Sequence, residues 1–255
     1  MMPSPFDLTG KIAIVTGGNG GIGLGMARGL AHAGAGIVIA GRNNDKSAEA
    51  AREIEALGVS ALAVSVDVTD KASVAAMVET TLLLRGRIDI LINNAGMSVR
   101  QPAHLLELDD WNKVIDTNLT SAFVCSKAVY PVMKQAGGGK IINIGSMMSI
   151  FGASYAPAYA ASKGGIVQFT RSIAVSWAAD NIQAYAILPG WIDTDLTRTA
   201  RSQIPGLNEN VLNRTPAKRW GHIDDLAGAA VFLASSASDF VTGTSIPVDG
   251  GYSVQ

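Results

Sequence analysis

The chain has 255 residues, of which 48% are hydrophobic and 16% charged, and its formal net charge is −1. That length suffices for one large α/β domain with a substantial core, while a near-neutral balance offers no long-range attraction to nucleic acid or an anionic membrane. No apolar run approaches the roughly 18 residues of a membrane span, and the opening MMPSPFDLTGK lacks the basic-then-apolar pattern of a secretory leader, so a soluble, cytoplasmic protein is expected.

The first apolar run, KIAIVT (11–16), leads into TGGNGGIG, Thr16 to Gly23, and then into Ile22, Met26 and Leu30 at helical spacing. Glycine at 17, 21 and 23 lets the chain turn tightly and lets a phosphate-bearing ligand approach the backbone where the next helix presents its free N–H groups. A glycine-rich loop between a buried strand and an amphipathic helix is the setting that points to nucleotide binding. The second run, GIVIAG (36–41), ends where an adenosine ribose is recognised in such folds. Gly41 stands where a carboxylate would select NAD, and Arg42 follows it, which favours the 2′-phosphate of NADP(H) while leaving NAD(H) open. After the third run, ALAVSV (61–66), Asp67 and Val68 are expected beside the adenine.

The fourth run, IDILIN (88–93), closes with NNAG, a turn that would both shape the chain and border the cofactor. The single cysteine, Cys125, follows; it permits no intrachain disulfide or thiolate cluster and reads as a small buried apolar residue. The fifth run, KIINIG (140–145), precedes Ser146. Tyr159 and Lys163 then stand one helical turn apart with only Ala160, Ala161 and Ser162 between, so both face the same way beside a closely packed neighbour. An isolated tyrosine is a weak base at neutral pH, and the neighbouring ammonium is expected to favour its phenolate. The Ser146 hydroxyl would hold a substrate oxygen while Tyr159 exchanges the proton.

The remaining runs are IQAYAIL (182–188) and TSIPVD (244–249), separated by Trp191 to Arg219, a stretch of short helices and loop expected to form a lid over the substrate. Apolar runs without alternation suit strands covered on both faces. The expected fold is therefore a single doubly wound parallel sheet of about seven strands with helices on both faces, with no second domain. His32, His104 and His222 have no metal-ligand spacing, and Asp109-Asp110 and Asp224-Asp225 read as helix-start residues, so no metal site is expected. Met147, Met148, Ile150 and Phe151 follow Ser146 and read either as core or, because the loop after that strand opens onto the substrate side, as pocket lining.

TGGNGGIG, NNAG, Asn118 in DTNLTSAF, Ser146, Tyr159 with Lys163, and Pro189-Gly190 stand in the order and approximate spacing of the short-chain dehydrogenase/reductase family, which the chain resembles over nearly its whole length. The resemblance implies an NAD(P)-dependent oxidoreductase interconverting a secondary alcohol and a ketone. In it Tyr159 is the acid/base, Ser146 orients the substrate oxygen, Lys163 holds the nicotinamide ribose and Asn118 supports a water-linked proton relay. The implied cofactor contacts are Gly17, Asn19, Gly21, Ile22 and Gly23 in the loop, Asn94, Ala95 and Gly96 in the turn, and Pro189, Gly190, Ile192 and Thr194 after the sixth strand. One departure is that Asn19 and Gly20 stand where many NADP-dependent members carry a cation, leaving Arg42 alone to argue for NADP.

Within the family, KIINIGSMMS, YAASKGG and TPAKRWGHIDDLAG are similar to gluconate 5-dehydrogenase and 2-deoxygluconate 3-dehydrogenase type members. This implies a sugar acid or related polyol as substrate, with Arg100 to receive its carboxylate and Met148 and Trp191 lining the pocket. Because those two are apolar, reduction of a hydrophobic or cyclic ketone stays open, as does 3-oxoacyl carrier reduction. The family resemblance also implies a homotetramer paired through helices around 102–135 and 156–179.

Overall fold

A computed structural model describes residues 4–255. Its strands are β1 (Ile12–Thr16), β2 (Gly36–Gly41), β3 (Ala61–Ser65), β4 (Ile90–Asn93), β5 (Gly139–Ile144), β6 (Ile182–Pro189) and β7 (Ser245–Val248). They form one sheet in the order β3-β2-β1-β4-β5-β6-β7, with every neighbouring pair parallel. The winding reverses between β1 and β4, and in such sheets the crevice outside the strand ends at the reversal is where ligands bind.

The helices are α1 (Gly21–His32), α2 (Asn44–Glu55), α3 (Lys71–Arg85), α4 (Leu108–Ile115), α5 (Ser121–Gln135), α6 (Pro157–Trp177), α7 (Asp195–Gln203), α8 (Leu207–Arg214) and α9 (Ala227–Ala234). Successive strand side chains point to opposite faces, and here both faces are apolar. Val15, Ile39, Ile92 and Ile144 pack with Met26 and Leu30 of α1, Ile54 of α2 and Leu233 of α9. Ile14, Val38, Leu91 and Ile141 face the other way, onto Val74 and Met77 of α3, Val129 of α5 and Ile173 of α6. Each fully buried aliphatic side chain contributes about 1.5–3 kcal/mol relative to exposure, which is why unbroken apolar runs settle as the central layer.

The expected strands agree with the observed ones to within one or two residues at each end. The largest difference is at IDILIN, where β4 starts at Ile90. The preceding Asp89 uses its carboxylate to accept from the Ile12 backbone N–H at 3.0 Å and from Arg87 at 2.6 and 2.8 Å, so a side chain pins this sheet end to β1. The segment from Trp191 to Arg219 carries α7 and α8, as its pattern suggested. Asp109 and Asp110 lie in the first turn of α4, and Asp224 and Asp225 in the first turn of a short helix at Ile223–Leu226. His222 caps that short helix, Cys125 is fully buried, and no helix among the described residues is long and apolar enough to cross a membrane.

Candidate active site

β1 ends at Thr16, whose hydroxyl donates to the Ile92 carbonyl (3.3 Å) and accepts from the backbone N–H groups of Asn94 and Ala95 (3.0 and 3.1 Å). The Asn94 amide donates back to the carbonyls of Thr16 and Gly17 (3.0 and 3.1 Å). NNAG is thereby bonded to the glycine loop across the reversal point. Gly17 has φ +63°, in the left-handed region. A Cβ on Gly23 would lie 2.4 Å from the Gly17 carbonyl oxygen and 2.5 Å from the Asn94 amide nitrogen. Only glycine lets α1 start this close to the strand end, with its free N–H groups and positive dipole end at the crevice. The loop offers backbone to an anion and no side chain that would fill the cradle, so the residues present fit a dinucleotide pyrophosphate.

From this crevice opens a cavity of about 380 Å³. Gly17, Asn19, Gly21 and Ile22 form one wall, and Asn94, Ala95 and Gly96 the floor beside it. Ser146, Met148, Tyr159 and Lys163 form the far wall. Pro189, Gly190, Trp191, Ile192 and Thr194, at and after the end of β6, complete the lining, and Arg100 reaches it from the loop after β4. Of the residues expected at the site, Gly23 and Asn118 lie outside the lining, the former against the strand end and the latter buried behind the wall. Arg42, Asp67 and Val68 also fall outside it. Asp67 sits beyond β3 with its carboxylate accepting from the Thr69 hydroxyl and N–H (2.7 and 2.9 Å). These bonds, and then the charge of Arg42, hold it below the usual carboxylate range.

Several lining residues escaped the sequence reading. Lys46 reaches the cavity from α2, Tyr155 from the turn before α6, and Asp195, Leu196 and Ala200 from α7. Tyr155 stands four residues before Tyr159, a spacing that signals a shared face only if the helix extends that far; Pro157 opens α6 after it. Met147 and Met148 both line the cavity, Met147 being buried as well in a small core cluster against which Phe151 packs, while Ile150 is exposed.

The corner of the cavity that holds the candidate catalytic residues is assembled by three segments. Ser146 caps the short turn Met147–Ser149, accepting from the Met148 N–H at 3.2 Å, and Ser149 donates to the Lys163 carbonyl at 2.6 Å, which ties this turn to α6. A π-helical turn at Asp116–Thr120 joins α4 to α5 and carries Asn118. The Asn118 side chain accepts from the Met97 N–H (2.8 Å) and donates to the Met97 carbonyl (2.9 Å) and the Ser162 hydroxyl (3.0 Å). Ser162 in turn donates to the Tyr159 carbonyl (2.8 Å). The amide's acceptor and both its donors are engaged, so this side chain locks the loop after β4 to α6.

The Lys163 ammonium donates to the Ile144 carbonyl (2.6 Å) and stands 5.6 Å from the centroid of the Tyr159 ring. Burial pushes Lys163 down to about 8. For Tyr159 the expected lowering by the ammonium is not the governing effect: burial raises it, opposed by its hydrogen bond with Ser146 and by the Arg100 charge. Desolvation outweighs these two influences because the phenolate would give up part of its hydration against the cavity wall, where Tyr159 is half-buried. Arg100 donates to the Leu196 carbonyl (3.0 Å) and to Gln203 (3.1 Å), both on α7. Among the described residues no three His, Cys, Asp or Glu side chains gather as metal ligands.

A family model described as enoyl-(acyl carrier protein) reductase matches residues 17–253. The 2-dehydro-3-deoxy-D-gluconate 5-dehydrogenase of Formosa agariphila is 45% identical over 247 residues, spanning 96% of this chain and 94% of that one. The enzyme of the same name from Escherichia coli K12 is 43% identical over 253 residues, 99% of each. The crystal structure of a gluconate 5-dehydrogenase from Burkholderia cenocepacia J2315, in complex with NADP and tartrate, superposes with a TM-score of 0.94 at 43% identity over 98% of each chain. Agreement over almost the full length of both partners, and not at the glycine loop alone, shows that this chain belongs to the short-chain dehydrogenase/reductase family of oxidoreductases.

Proposed function

We propose that the protein is an NADP(H)-linked dehydrogenase that interconverts a secondary hydroxyl and a ketone on a sugar acid, with Ser146, Tyr159 and Lys163 as the catalytic set. The observation that carries the substrate class is Arg100 opening into the same cavity as Ser146 and Tyr159. Two of its five N–H donors are engaged on α7, which orients the fork and leaves donors for a carboxylate. An acid held there at one end and by Ser146 at its reacting hydroxyl is fixed at two points, and the relatives bearing sugar-acid names support that reading.

Bound nicotinamide supplies the two-electron acceptor for the carbinol hydride. In the oxidation direction Ser146 hydrogen-bonds the substrate oxygen, Tyr159 as phenolate takes its proton, and the carbon that loses hydride becomes a carbonyl. In reduction the same tyrosine, protonated, returns the proton to the alkoxide. Lys163 places a cation beside the tyrosine and against the ribose side of the cavity, and residues 191–219, including α7, serve as a lid that excludes water.

NADP(H) is favoured at the end of β2. A Cβ on Gly41 would lie 2.7 Å from the Asn19 amide nitrogen and 3.3 Å from the Ser47 hydroxyl, so an acidic residue there would have to displace the Asn19 side chain from its bond with Ser47. Arg42 remains as the cation for a 2′-phosphate. A homotetramer fits the apolar side chains that α5 and α6 leave exposed, Phe123 and Val175.

The test is turnover with NADP and NAD over gluconate-type acids, neutral polyols, cyclic ketones and keto-acyl thioesters. Sugar acids should turn over with NADP, and Arg100→Ala should raise KM for the acids about 10-fold or more, the scale of a lost charge-assisted pair. Inert acids together with active cyclic ketones, unaffected by Arg100→Ala, would replace this reading with the apolar-ketone one, which Met148 and Trp191 would then explain.

A further inference from the structure

The glycine loop has no cation of its own, and Arg42 lies outside the cavity lining. The structure supplies a different cation. Asn43 caps α2 by accepting from the Lys46 N–H at 3.0 Å, and the buried Ser47 accepts from the Asn19 side chain at 3.0 Å, so the first turn of α2 is fastened to the glycine loop. That fastening carries the Lys46 side chain across the loop. Its ammonium stands 2.9 Å from where a Cβ on Gly20 would be, and Lys46 lines the cavity together with Gly20, Gly21 and Ile22. From the opposite side, Thr194 lies against Gly21, its methyl 3.4 Å from where a Cβ would stand, and the next residue, Asp195, meets the Lys46 ammonium at 3.8 Å.

We propose that Lys46 is the cation for the cofactor's pyrophosphate, and that it exchanges Asp195 for that diphosphate on binding. The inference rests on the dinucleotide reading of the cleft. Gly20 and Gly21 lead into α1, whose N–H groups receive the pyrophosphate, and an ammonium directly over Gly20 is placed to pair the same oxygens from the side that helix cannot reach. The exchange is undemanding. The Lys46 side chain is 49% exposed and that of Asp195 83%, their separation is long, and Arg198 also donates to Asp195 at 3.2 Å. Such a pair is weak in water, whereas a diphosphate offers charge-assisted hydrogen bonds backed by a helix end. The position differs from that of Arg42, at the end of β2 where the 2′-phosphate would sit. The two cations therefore divide the cofactor between them: Arg42 selects it and Lys46 holds the part common to both dinucleotides.

Calorimetric titration of the intact protein with NADPH, NADH and ADP-ribose tests this without turnover. Lys46→Met, which keeps the aliphatic stem, should weaken all three by a common factor of roughly 10-fold, and Lys46→Arg should restore most of the loss. Asp195→Asn should tighten ADP-ribose by roughly 2-fold, since it removes the competing partner. Loss confined to NADPH would move Lys46 to the 2′-phosphate and overturn the proposal, as would unchanged affinity for all three. Unchanged or weakened ADP-ribose binding in Asp195→Asn would overturn the exchange. Arg42→Ala, titrated in parallel, should weaken NADPH alone; if it does not, the cofactor preference fails while the Lys46 result stands on its own.

Discussion

At the residue scale, the proposed chemistry rests on a tyrosine, Tyr159, whose burial favours the protonated form. Tyr159→Phe removes the proton carrier and leaves the ring, so kcat should fall by about 100-fold or more while the dissociation constant for NADPH changes little; wild-type turnover in this variant would remove Tyr159 from its role. Because burial raises Tyr159 above its ordinary value, the phenolate needed for oxidation is scarce at pH 7 and increases with pH. Oxidation, read as kcat/KM, should therefore climb between pH 7 and 9.5, and reduction, which needs the phenol, should not. A flat oxidation profile would show that another group governs the proton. Lys163 adds an independent signature in stability. Its folded value of about 8 lies below the ordinary 10.5, so between those values the unfolded chain binds more protons and stability rises with pH. The cost of burying the ammonium is present in full below pH 8 and relieved above it. Denaturation of wild type and Lys163→Met at pH 7.5 and 9.5 should show a wild-type gain, of the order of 3 kcal/mol at most across the full window, that the variant lacks.

At the scale of elements, the packing of α6 explains why Ser162, between Tyr159 and Lys163, and Gly165 just after them are small. The helix lies against the π turn, where a Cβ on Gly165 would stand 2.7 Å from the Leu119 side chain, and Ser162, fully buried, is the receiver for Asn118. A π turn inserts an extra residue into the helical ladder, a feature often found at functional sites, and here it presents Asn118 to three partners at once. Asn118→Ala should leave the half-buried Met97 backbone groups without their side-chain partner and the Ser162 hydroxyl with only its bond to the Tyr159 carbonyl. A backbone group left unpaired where water is largely excluded costs about 1–3 kcal/mol, and 1 kcal/mol corresponds to roughly 2–4 °C in a domain of this size. The melting temperature should fall by several degrees, and amide exchange at Met97 should accelerate. An unchanged melting temperature with slow exchange at Met97 would show that the loop is held by other contacts.

At the scale of the whole molecule, one sheet buried on both faces accounts for the hydrophobic composition, yet Phe123 (49% exposed) and Val175 (83%) remain uncovered on α5 and α6. These exposed apolar side chains on two long helices suit the proposed pairing with a second copy of the chain. Sedimentation at micromolar concentration should give a tetramer, and Phe123→Arg should shift it to a smaller species without altering the fold. A monomer-sized wild type would dismiss the assembly.

What the chain order determined by itself was local and chemical. Unbroken apolar runs predict strands covered on both faces, the glycines at 17, 21 and 23 predict a backbone anion cradle, and the four-residue interval from Tyr159 to Lys163 predicts a shared face, because each depends on periodicity or on a missing side chain. The tertiary structure decided everything that depends on approach between distant segments. Lys46 lies 26 residues from Gly20 in sequence and over it in space; nothing in its own neighbourhood marks it as more than a solvated lysine of a helix start. Arg100 is oriented by α7, about a hundred residues later. The proton affinity of Tyr159 was likewise beyond the sequence: spacing showed a cation nearby, but only the packed cavity shows that desolvation outweighs it, since burial is a property of the surroundings and not of the interval between two residues.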